Sequence, residues 1–321
     1  MAGVIKTVGV IGTGTIGSSW TGLFLSKGLK VLVSDPAPGA EKLLTEHLER
    51  FWPVLEEIGL APGASLKNCQ FVGASMEKHL GEVDFIQENA PEKPEIKNKL
   101  IGEIDAGARP EVIIASSSSG IPSSQFISQC KKHPERVLIG HPFNPPHLMP
   151  LVEVVPHPGT SKEATDKAIE IYASLGKAPV LVKKEIPGHA ANRLQAALMQ
   201  EAYSLVGNDV LSAKDLDACI TTSLGPRWAL VGPYMSLVSG GGGGRGGFKH
   251  MMHHIGPAAQ GWLKDMAERN LPFDEDLITK MDKSVQEELN EFDPTVVEKQ
   301  RDEALVKLVK LKHEKGASML V

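Results

Sequence analysis

The chain has 321 residues, of which 41% are hydrophobic and 23% are charged, and its formal net charge at pH 7 is −5. This length favours two domains with separate cores, and the composition is typical of a globular protein rather than a disordered one. The small negative charge gives no reason to expect nucleic acid as a partner.

Targeting signals and cysteine usage both favour the cytoplasm. The first residues run directly into an apolar strand pattern without the charged region of a signal peptide, and no apolar run approaches the roughly 20 residues that span a bilayer. Cys69, Cys130 and Cys219 are far apart and lack metal-ligand spacing, which indicates free thiols in a reducing compartment. We therefore expect a cytoplasmic protein without a membrane partner.

Short β-branched runs alternate with helical segments through the first half of the chain. This alternation predicts a mostly parallel, doubly wound sheet with crossover helices. The predicted strands are Val8–Ile11, Val31–Ser34, Gln70–Gly73, Phe85–Gln87, Val112–Ala115 and Val137–Ile139.

The first predicted strand ends in the glycine pattern GTGTIG, residues 12–17, which leads into a helical run. In such a turn Gly12 permits the tight bend, Gly14 lets a pyrophosphate approach the backbone, and Gly17 lets the helix pack closely on the strand. The second strand ends at Asp35, whose carboxylate suits a ribose hydroxyl and repels a 2′-phosphate. The pattern therefore predicts NAD rather than NADP as the cofactor.

Two polar segments follow the fourth and fifth predicted strands. They are residues 87–97, QENAPEKPEIK, and the serine run 116–119 before Gly120. Ligands of an open sheet lie beyond the carboxyl ends of its strands, so both segments are candidates for the site. Taken alone, four serines fit a polar turn equally well.

The segment GHPFNPPHLMPLVEV, residues 140–154, joins titratable groups to four prolines. Proline fixes φ and lacks a backbone donor, so we expect a stiff surface connection after a strand ending near Ile139. Rigid loops on a sheet commonly carry catalytic groups, here His141, whereas the alternative is a proline-rich loop with incidental histidines.

The second half of the chain is mostly helical. Residues 186–188 form a plausible junction, which predicts a nucleotide-binding Rossmann domain over 1–187 and an all-helical substrate and dimerisation domain over 188–321. The helical runs are residues 190–206, 209–218, 258–269 and 294–314. The glycine run Gly240–Gly247 predicts a disordered or flexible loop.

With these pieces in order, the chain resembles the L-3-hydroxyacyl-CoA dehydrogenase family. The resemblance covers nearly the whole chain and is closest to the branch of lambda-crystallin (L-gulonate 3-dehydrogenase) and L-carnitine dehydrogenase. It rests on VGVIGTGTIGSSW, QENAPEKPEIKNKL, ASSSSGIPSS, GHPFNPPHLMPLVEVVPHP, KEIPGHAANRLQAALMQEA and DLDACITTSLGPRWALVGP.

The resemblance implies a role for each matching residue. His141 is the expected general base and Glu153 its carboxylate partner, while Ser119 and Asn192 are expected to contact the substrate. The expected cofactor contacts are Gly12, Gly14, Thr15, Ile16, Gly17, Asp35, Glu92, Lys97, Ser119 and Asn144. Imidazole suits the transfer of an alcohol proton because its ordinary pKa lies near the operating pH. His147 has no role in this scheme.

The substrate is the open question at this point. Helix-forming residues 41–57 carry five glutamates against Lys42 and Arg50, a charge that does not attract the phosphates of coenzyme A. This favours a small free 3-hydroxy acid, although a merely solvated helix face is the alternative. Arg227 and Arg245 are candidates for binding its carboxylate, and Trp228 for a cation–π contact with a carnitine-like ammonium group.

The sequence thus predicts an NAD-dependent dehydrogenase that interconverts an L-3-hydroxy acid and its 3-oxo acid. A dehydrogenase of 3-hydroxyacyl-CoA thioesters and a catalytically silent, crystallin-like nucleotide-binding protein remain as alternatives. The resemblance also implies a homodimer. No metal site is predicted, because His250, His253 and His254 lack a cysteine or carboxylate at ligand spacing.

Overall fold

The computed structural model describes residues 5–291 and 293–314. The chain divides into two compact units, Met1–Arg193 and Leu194–Val321. Within the described ranges, no helix combines the length and apolar character needed to cross a membrane. The predicted boundary at residue 187 and the roles predicted for the two domains stay predictions.

The first unit contains one eight-stranded sheet with the order β3-β2-β1-β4-β5-β6-β7-β8. Every neighbouring pair is parallel except β6 and β7, which run antiparallel. The prediction of a mostly parallel Rossmann-type sheet is therefore confirmed. The strands are β1 Thr7–Ile11, β2 Lys30–Ser34, β3 Cys69–Phe71, β4 Phe85–Glu88, β5 Ile113–Ser116, β6 Val137–Pro142, β7 Leu151–Pro156 and β8 Ala178–Leu181.

Helices cover both faces of this sheet because its central strands are apolar on both sides. Val31 and Val33 of β2 belong to one buried cluster, whereas Leu32 between them belongs to the other. This alternation is what a strand buried on two faces requires. The helices of this unit are α1 Thr15–Ser26, α2 Ala40–Ile58, α3 Pro94–Gly107 and α4 Lys162–Ser174.

The strand order reverses between β1 and β4, which places a crevice at the carboxyl ends of these strands. The glycine turn follows β1 at this crevice, and Asp35 follows β2. Residues 89–93 follow β4, and the serine run continues from β5. The segments singled out in the sequence thus lie at one edge of the sheet.

The position of His141 differs from the expected surface connection. Strand β6 continues through Gly140, His141 and Pro142, and all three residues are buried. Pro142 is the last residue of the strand, where its missing N–H donor costs the ladder little. The stiff connection therefore begins at Phe143, one residue after the strand ends.

The second unit is helical. After helix α5 Ala191–Gly207, which begins in the first unit, come α6 Ala213–Cys219, a π-helical turn Ile220–Leu224, α7 Gly225–Gly240, α8 Gly247–Arg269, α9 Glu275–Leu289 and α10 Pro294–Glu314. Within this unit α7 packs on α8, and α6 packs on α9. Helix α7 bends at Gly232, whose φ of 66° is non-helical, directly before Pro233.

Two features of this unit bear on the sequence prediction. The glycine run contains backbone hydrogen bonds, in which the Gly241 and Gly243 N–H groups donate to the carbonyls of Leu237 and Val238, and its flexibility stays a prediction. Helix α6 begins at Ala213 rather than at Asp209, because Asp209 has a φ of 56° and the Ser212 hydroxyl caps the new helix.

Candidate active site

The glycine turn leaves an open cradle at the start of α1. A Cβ atom on Gly12 would lie 2.6 Å from the Asn89 carbonyl oxygen, and one on Gly17 would lie 1.9 Å from that of Gly12. Neither position can therefore hold a larger residue. At Gly14, by contrast, a Cβ would meet nothing within 4 Å. The turn is closed where the backbone packs and open where a ligand would approach.

This cradle fits the diphosphate of a dinucleotide. Gly14 is the N-cap of α1 and offers no side-chain cap, and Thr15 beside it is exposed. The backbone N–H groups of Thr15, Ile16 and Gly17 in the first turn can therefore bind an anion. These are the residues that would hold the NAD diphosphate.

Asp35 is held at the end of β2 in contact with the turn. Its carboxylate accepts hydrogen bonds from the Thr13 N–H at 2.6 Å, the Thr13 hydroxyl at 2.9 Å and the Ala37 N–H at 2.8 Å. The carboxylate is half-buried, and its contact with the adenosine ribose of NAD stays a prediction. Thr13 was not predicted, because it occupies a variable position of the glycine pattern.

Glu92 holds the serine run in place. Its Oε1 accepts hydrogen bonds from the Ser118 hydroxyl at 2.6 Å, the Ser119 N–H at 2.9 Å and the Gly120 N–H at 3.1 Å. Burial works against the charged form of Glu92, but these hydrogen bonds and the nearby Lys97 ammonium outweigh it and lower its pKa. Glu92 is therefore a carboxylate that fixes the backbone around Ser119.

Lys97 lies beneath this segment rather than on the surface of the crevice. Its side chain is 1% exposed, and its ammonium group binds both carboxylate oxygens of Glu88 at 3.0 Å and the Ala90 carbonyl at 3.1 Å. A direct contact between Lys97 and the cofactor stays a prediction. The burial supports instead a role in fixing the segment after β4.

His141 and Glu153 lie directly opposite each other on β6 and β7. The His141 Nδ1–H donates to Glu153 Oε2 at 2.9 Å, and both side chains are buried. Since the carboxylate accepts the Nδ1 proton, the neutral imidazole carries its lone pair on Nε2. The pair thus presents a base whose tautomer is set by its neighbour.

The other oxygen of Glu153 binds the beginning of helix α5. Oε1 accepts hydrogen bonds from the Ala190 and Ala191 N–H groups, each at 2.9 Å. Burial alone disfavours the carboxylate, but the hydrogen bond from His141 and these two backbone donors outweigh it and lower the pKa of Glu153. Glu153 is therefore an anion at neutral pH and can stabilise a protonated His141.

Asn192 and Ser119 lie together beside this pair. The Asn192 amide donates to the Ser119 carbonyl at 2.7 Å, which leaves its Oδ1 for another partner. The structure therefore brings His141, Glu153, Ser119 and Asn192 into one hydrogen-bonded region at the crevice. Asn144 is exposed in the connection after β6, and its contact with the cofactor stays a prediction.

His147 has a structural environment. Its ring stacks on Phe51 with 4.4 Å between centroids, and its backbone N–H donates to the Ser19 hydroxyl at 2.9 Å. The side chain is buried. These contacts join the proline-rich connection to α1 and α2 and leave His147 outside the catalytic group.

The predicted substrate contacts in the second unit are all exposed. Arg227 and Trp228 lie near the start of α7, and Arg245 lies in the turn between α7 and α8. Their roles stay predictions. His250, His253 and His254 are exposed on α8, and no cluster of metal-ligating residues occurs within the described ranges.

A buried polar network that lies beneath the site was not predicted from the sequence. The Tyr172 hydroxyl donates to Gln87 Oε1 at 2.6 Å, and the Gln87 amide donates to the Ser117 hydroxyl at 2.8 Å and the Gly140 carbonyl at 3.2 Å. The Ser117 hydroxyl in turn donates to Asn89 Oδ1 at 2.7 Å. This network links the strand that carries His141 to the segment after β4. A glutamine inside an apolar strand was the only signal for it.

Two family models together cover most of the chain. The model described as the NAD binding domain of 3-hydroxyacyl-CoA dehydrogenase matches residues 7–186. The model described as the C-terminal domain of the same enzyme matches residues 188–272.

Similar proteins of known name agree with these models. A 3-hydroxyacyl-CoA dehydrogenase from Gibberella moniliformis is 48% identical, covering 98% of this chain and 97% of its own. An L-carnitine dehydrogenase from Pseudomonas aeruginosa is 45% identical, covering 80% of this chain and 78% of its own. Among solved structures, a 5-formyl-3-hydroxy-2-methylpyridine 4-carboxylic acid 5-dehydrogenase, described as an NAD⁺-dependent dismutase, superposes with a TM-score of 0.76 at 28% identity. That likeness covers 96% of this chain and 98% of the other.

Proposed function

This chain belongs to the 3-hydroxyacyl-CoA dehydrogenase family and is an NAD-dependent oxidoreductase of CH–OH groups, and we propose that its substrate is a small, free L-3-hydroxy acid. The observation that carries the catalytic part of the proposal is the buried His141–Glu153 pair, which lies on the same sheet as the dinucleotide cradle.

In the proposed mechanism His141 Nε2 accepts the proton of the substrate hydroxyl. Glu153 keeps the Nδ1 proton in place and stabilises the imidazolium ion that forms. The Ser119 hydroxyl and the Asn192 Oδ1 bind the substrate oxygens and orient the carbinol carbon. NAD held at the cradle of Gly12, Gly14 and Gly17 would supply the hydride acceptor for this carbon, so that the alcohol would become a ketone.

The proposal of a free acid rests on the charge of α2. Its five glutamates, Glu41, Glu46, Glu49, Glu56 and Glu57, are all exposed along one solvated helix. An acidic surface of this kind repels a polyphosphate such as the nucleotide part of coenzyme A. The carnitine dehydrogenase relatives support a substrate with a free carboxylate and a trimethylammonium group. A gulonate-like sugar acid, which the resemblance in the sequence implies, is the other candidate of this class.

A second candidate is a 3-hydroxyacyl-CoA thioester. The Gibberella relative, which is 48% identical over nearly the whole chain, carries that name. The chemistry at His141 is the same for both candidates. They differ only in what lies beyond the 3-hydroxy acyl group.

A substrate panel distinguishes these candidates. We expect NADH formation at mildly alkaline pH with L-carnitine or L-gulonate, and much slower turnover with short L-3-hydroxyacyl-CoA thioesters. Turnover with thioesters alone would overturn the free-acid assignment. Failure of a broad hydroxy-acid and thioester screen, with NADH still bound, would favour a catalytically silent nucleotide-binding protein.

We further propose that the protein is a cytoplasmic homodimer. Support for the dimer comes from the second unit, where only five described residues are buried: Ala202, Ser204, Gly247, Leu277 and Val306. Large apolar side chains remain on its surface, including Tyr234, Trp262 and Leu263. A second copy of the chain would cover such a surface.

A further inference from the structure

His189 lies beside the proposed catalytic pair, although no role was predicted for it. Its side chain is fully buried, and its ring centroid is 5.4 Å from that of His141. Its Nε2–H donates to the Ser118 carbonyl at 3.0 Å. In the neutral imidazole Nδ1 is then an acceptor, since only one ring nitrogen carries a proton.

Two costly features coincide at this residue. Its backbone has a φ of 51°, a left-handed conformation that residues other than glycine seldom adopt. Its buried Nδ1 has no hydrogen-bond partner among the described residues, a state that folded proteins mostly avoid. Such features persist where the surrounding structure needs them, and they cluster at functional sites.

The backbone conformation of residues 188–192 allows them to hold the backbone around Ser119. Three successive carbonyls accept hydrogen bonds from residues 188–192: Ser118 O from His189, Ser119 O from Asn192, and Gly120 O from the Gly188 N–H at 3.0 Å. On its other side the same segment is held by Glu92. Residues 118–120 are therefore fixed to residues 188–192, in which the Ala190 and Ala191 N–H groups bind Glu153.

The charged and titratable groups facing His189 are His141, Glu153 and Glu92. Burial is the largest effect and lowers the pKa of His189; the hydrogen bond to the Ser118 carbonyl raises it, His141 lowers it, and the two carboxylates raise it without offsetting the burial. The neutral form of His189 is therefore favoured, and the proposed mechanism assigns the proton transfer to His141 alone.

We propose that His189 is a positioning residue, which fixes the Ser118 carbonyl and through it the Ser119 hydroxyl relative to His141. The proposal rests on the proposed function, because it assumes that Ser119 and His141 act on the same substrate alcohol. His189 itself contributes no proton to the reaction.

The kinetic test compares two replacements of His189. His189→Phe keeps a ring of similar size but removes the donor, so the buried Ser118 carbonyl loses its partner, and we expect about a tenfold loss of kcat/KM for the hydroxy acid. His189→Gln keeps a donor at similar reach and should stay within about threefold of the parent protein. NADH affinity should change by less than about twofold in both.

Two kinetic outcomes would overturn the proposal. One is full activity of His189→Phe, and the other is equal impairment of the Phe and Gln variants, which would mean that ring shape rather than the hydrogen bond matters. A loss of NADH affinity matching the loss of kcat/KM would likewise contradict it, since it would indicate a general disruption of the fold.

A spectroscopic test uses the parent protein and needs neither a substrate nor a variant. In the protein labelled with ¹⁵N-histidine, His189 should show the neutral Nε2–H pattern at neutral pH and a pKa below that of an ordinary histidine. A pKa at or above the ordinary value, or an Nδ1–H pattern, would refute the assignment. Failure of the substrate panel would therefore leave this part of the inference testable on its own.

Discussion

At the scale of single residues, the pairing of His141 with Glu153 explains why one histidine of the chain suits proton transfer. Both lie on strands, so their separation is set by the sheet and not by a loop. The Nδ1 contact assigns the tautomer, and the helix α5 donors keep the carboxylate charged.

Replacing His141 should separate binding from catalysis. His141→Gln removes the base but keeps a polar side chain, so we expect NADH affinity to remain while kcat falls by about 10²- to 10⁴-fold. Fluorescence titration with NADH and steady-state NADH formation measure the two quantities. Activity within about twofold of the parent protein would show that another group is the base.

Glu153 should make the fold sensitive to acid. Its folded-state pKa is lowered, so the unfolded state binds more protons as the pH falls below about 4.5, and the stability contributed by Glu153 is lost over that range. Glu153→Gln removes this contribution. The drop in melting temperature from pH 7 to pH 4 should therefore be smaller in the variant, and an equal or larger drop would contradict this assignment.

At the scale of elements, the glycine turn combines a closed side and an open side. Gly17 packs its α-carbon against the Gly12 carbonyl, whereas Gly14 faces space. The same short turn therefore serves packing and ligand binding through different residues.

Two alanine variants should resolve these roles. Gly14→Ala adds a methyl group to the open cradle, so NADH affinity should fall about tenfold or more while the melting temperature is unchanged. Gly17→Ala should lower the melting temperature, because its methyl group would overlap the Gly12 carbonyl. Thermal denaturation and NADH titration of both variants check this, and an unchanged NADH affinity of Gly14→Ala would mean that the cradle is not a ligand site.

The sequence predicted those parts of the site that depend on local pattern. The strands, the glycine turn and Asp35 follow from periodicity and spacing, and the resemblance to a family paired His141 with Glu153. The prediction that His141 lies in a connection was wrong. It rested on the prolines of the segment, but Pro142 is the last residue of β6, where a proline is tolerated. The burial of Lys97 against Glu88 and the binding of Glu153 by helix α5 were beyond prediction, since they depend on packing between segments distant in the chain.

At the scale of the whole molecule, the two units differ in how much they bury. The first has two apolar clusters, one on each face of its sheet. The second keeps large apolar side chains exposed, with Tyr234 72% and Leu263 63% accessible. A helical unit gains most of its stability from packing an apolar face, so a partner for this unit is expected.

A dimer test follows from the exposed residues of α8. Light scattering should give twice the mass of the 321-residue chain for the parent protein, and Trp262→Glu with Leu263→Lys should shift it toward a monomer. A matched double replacement on the acidic helix, Glu46→Lys with Glu49→Lys, serves as the control and should leave the mass unchanged. A parent protein that is monomeric at micromolar concentration would refute the dimer.

The antiparallel register of β6 and β7 has a consequence for how this protein can diversify. Because the ladder keeps His141 facing Glu153, the intervening residues 143–150 other than Asn144 and His147 can change in sequence without separating the couple. Exchanging this connection should therefore change which alcohols the site accepts, while His141 and Glu153 keep their positions and their role in proton transfer.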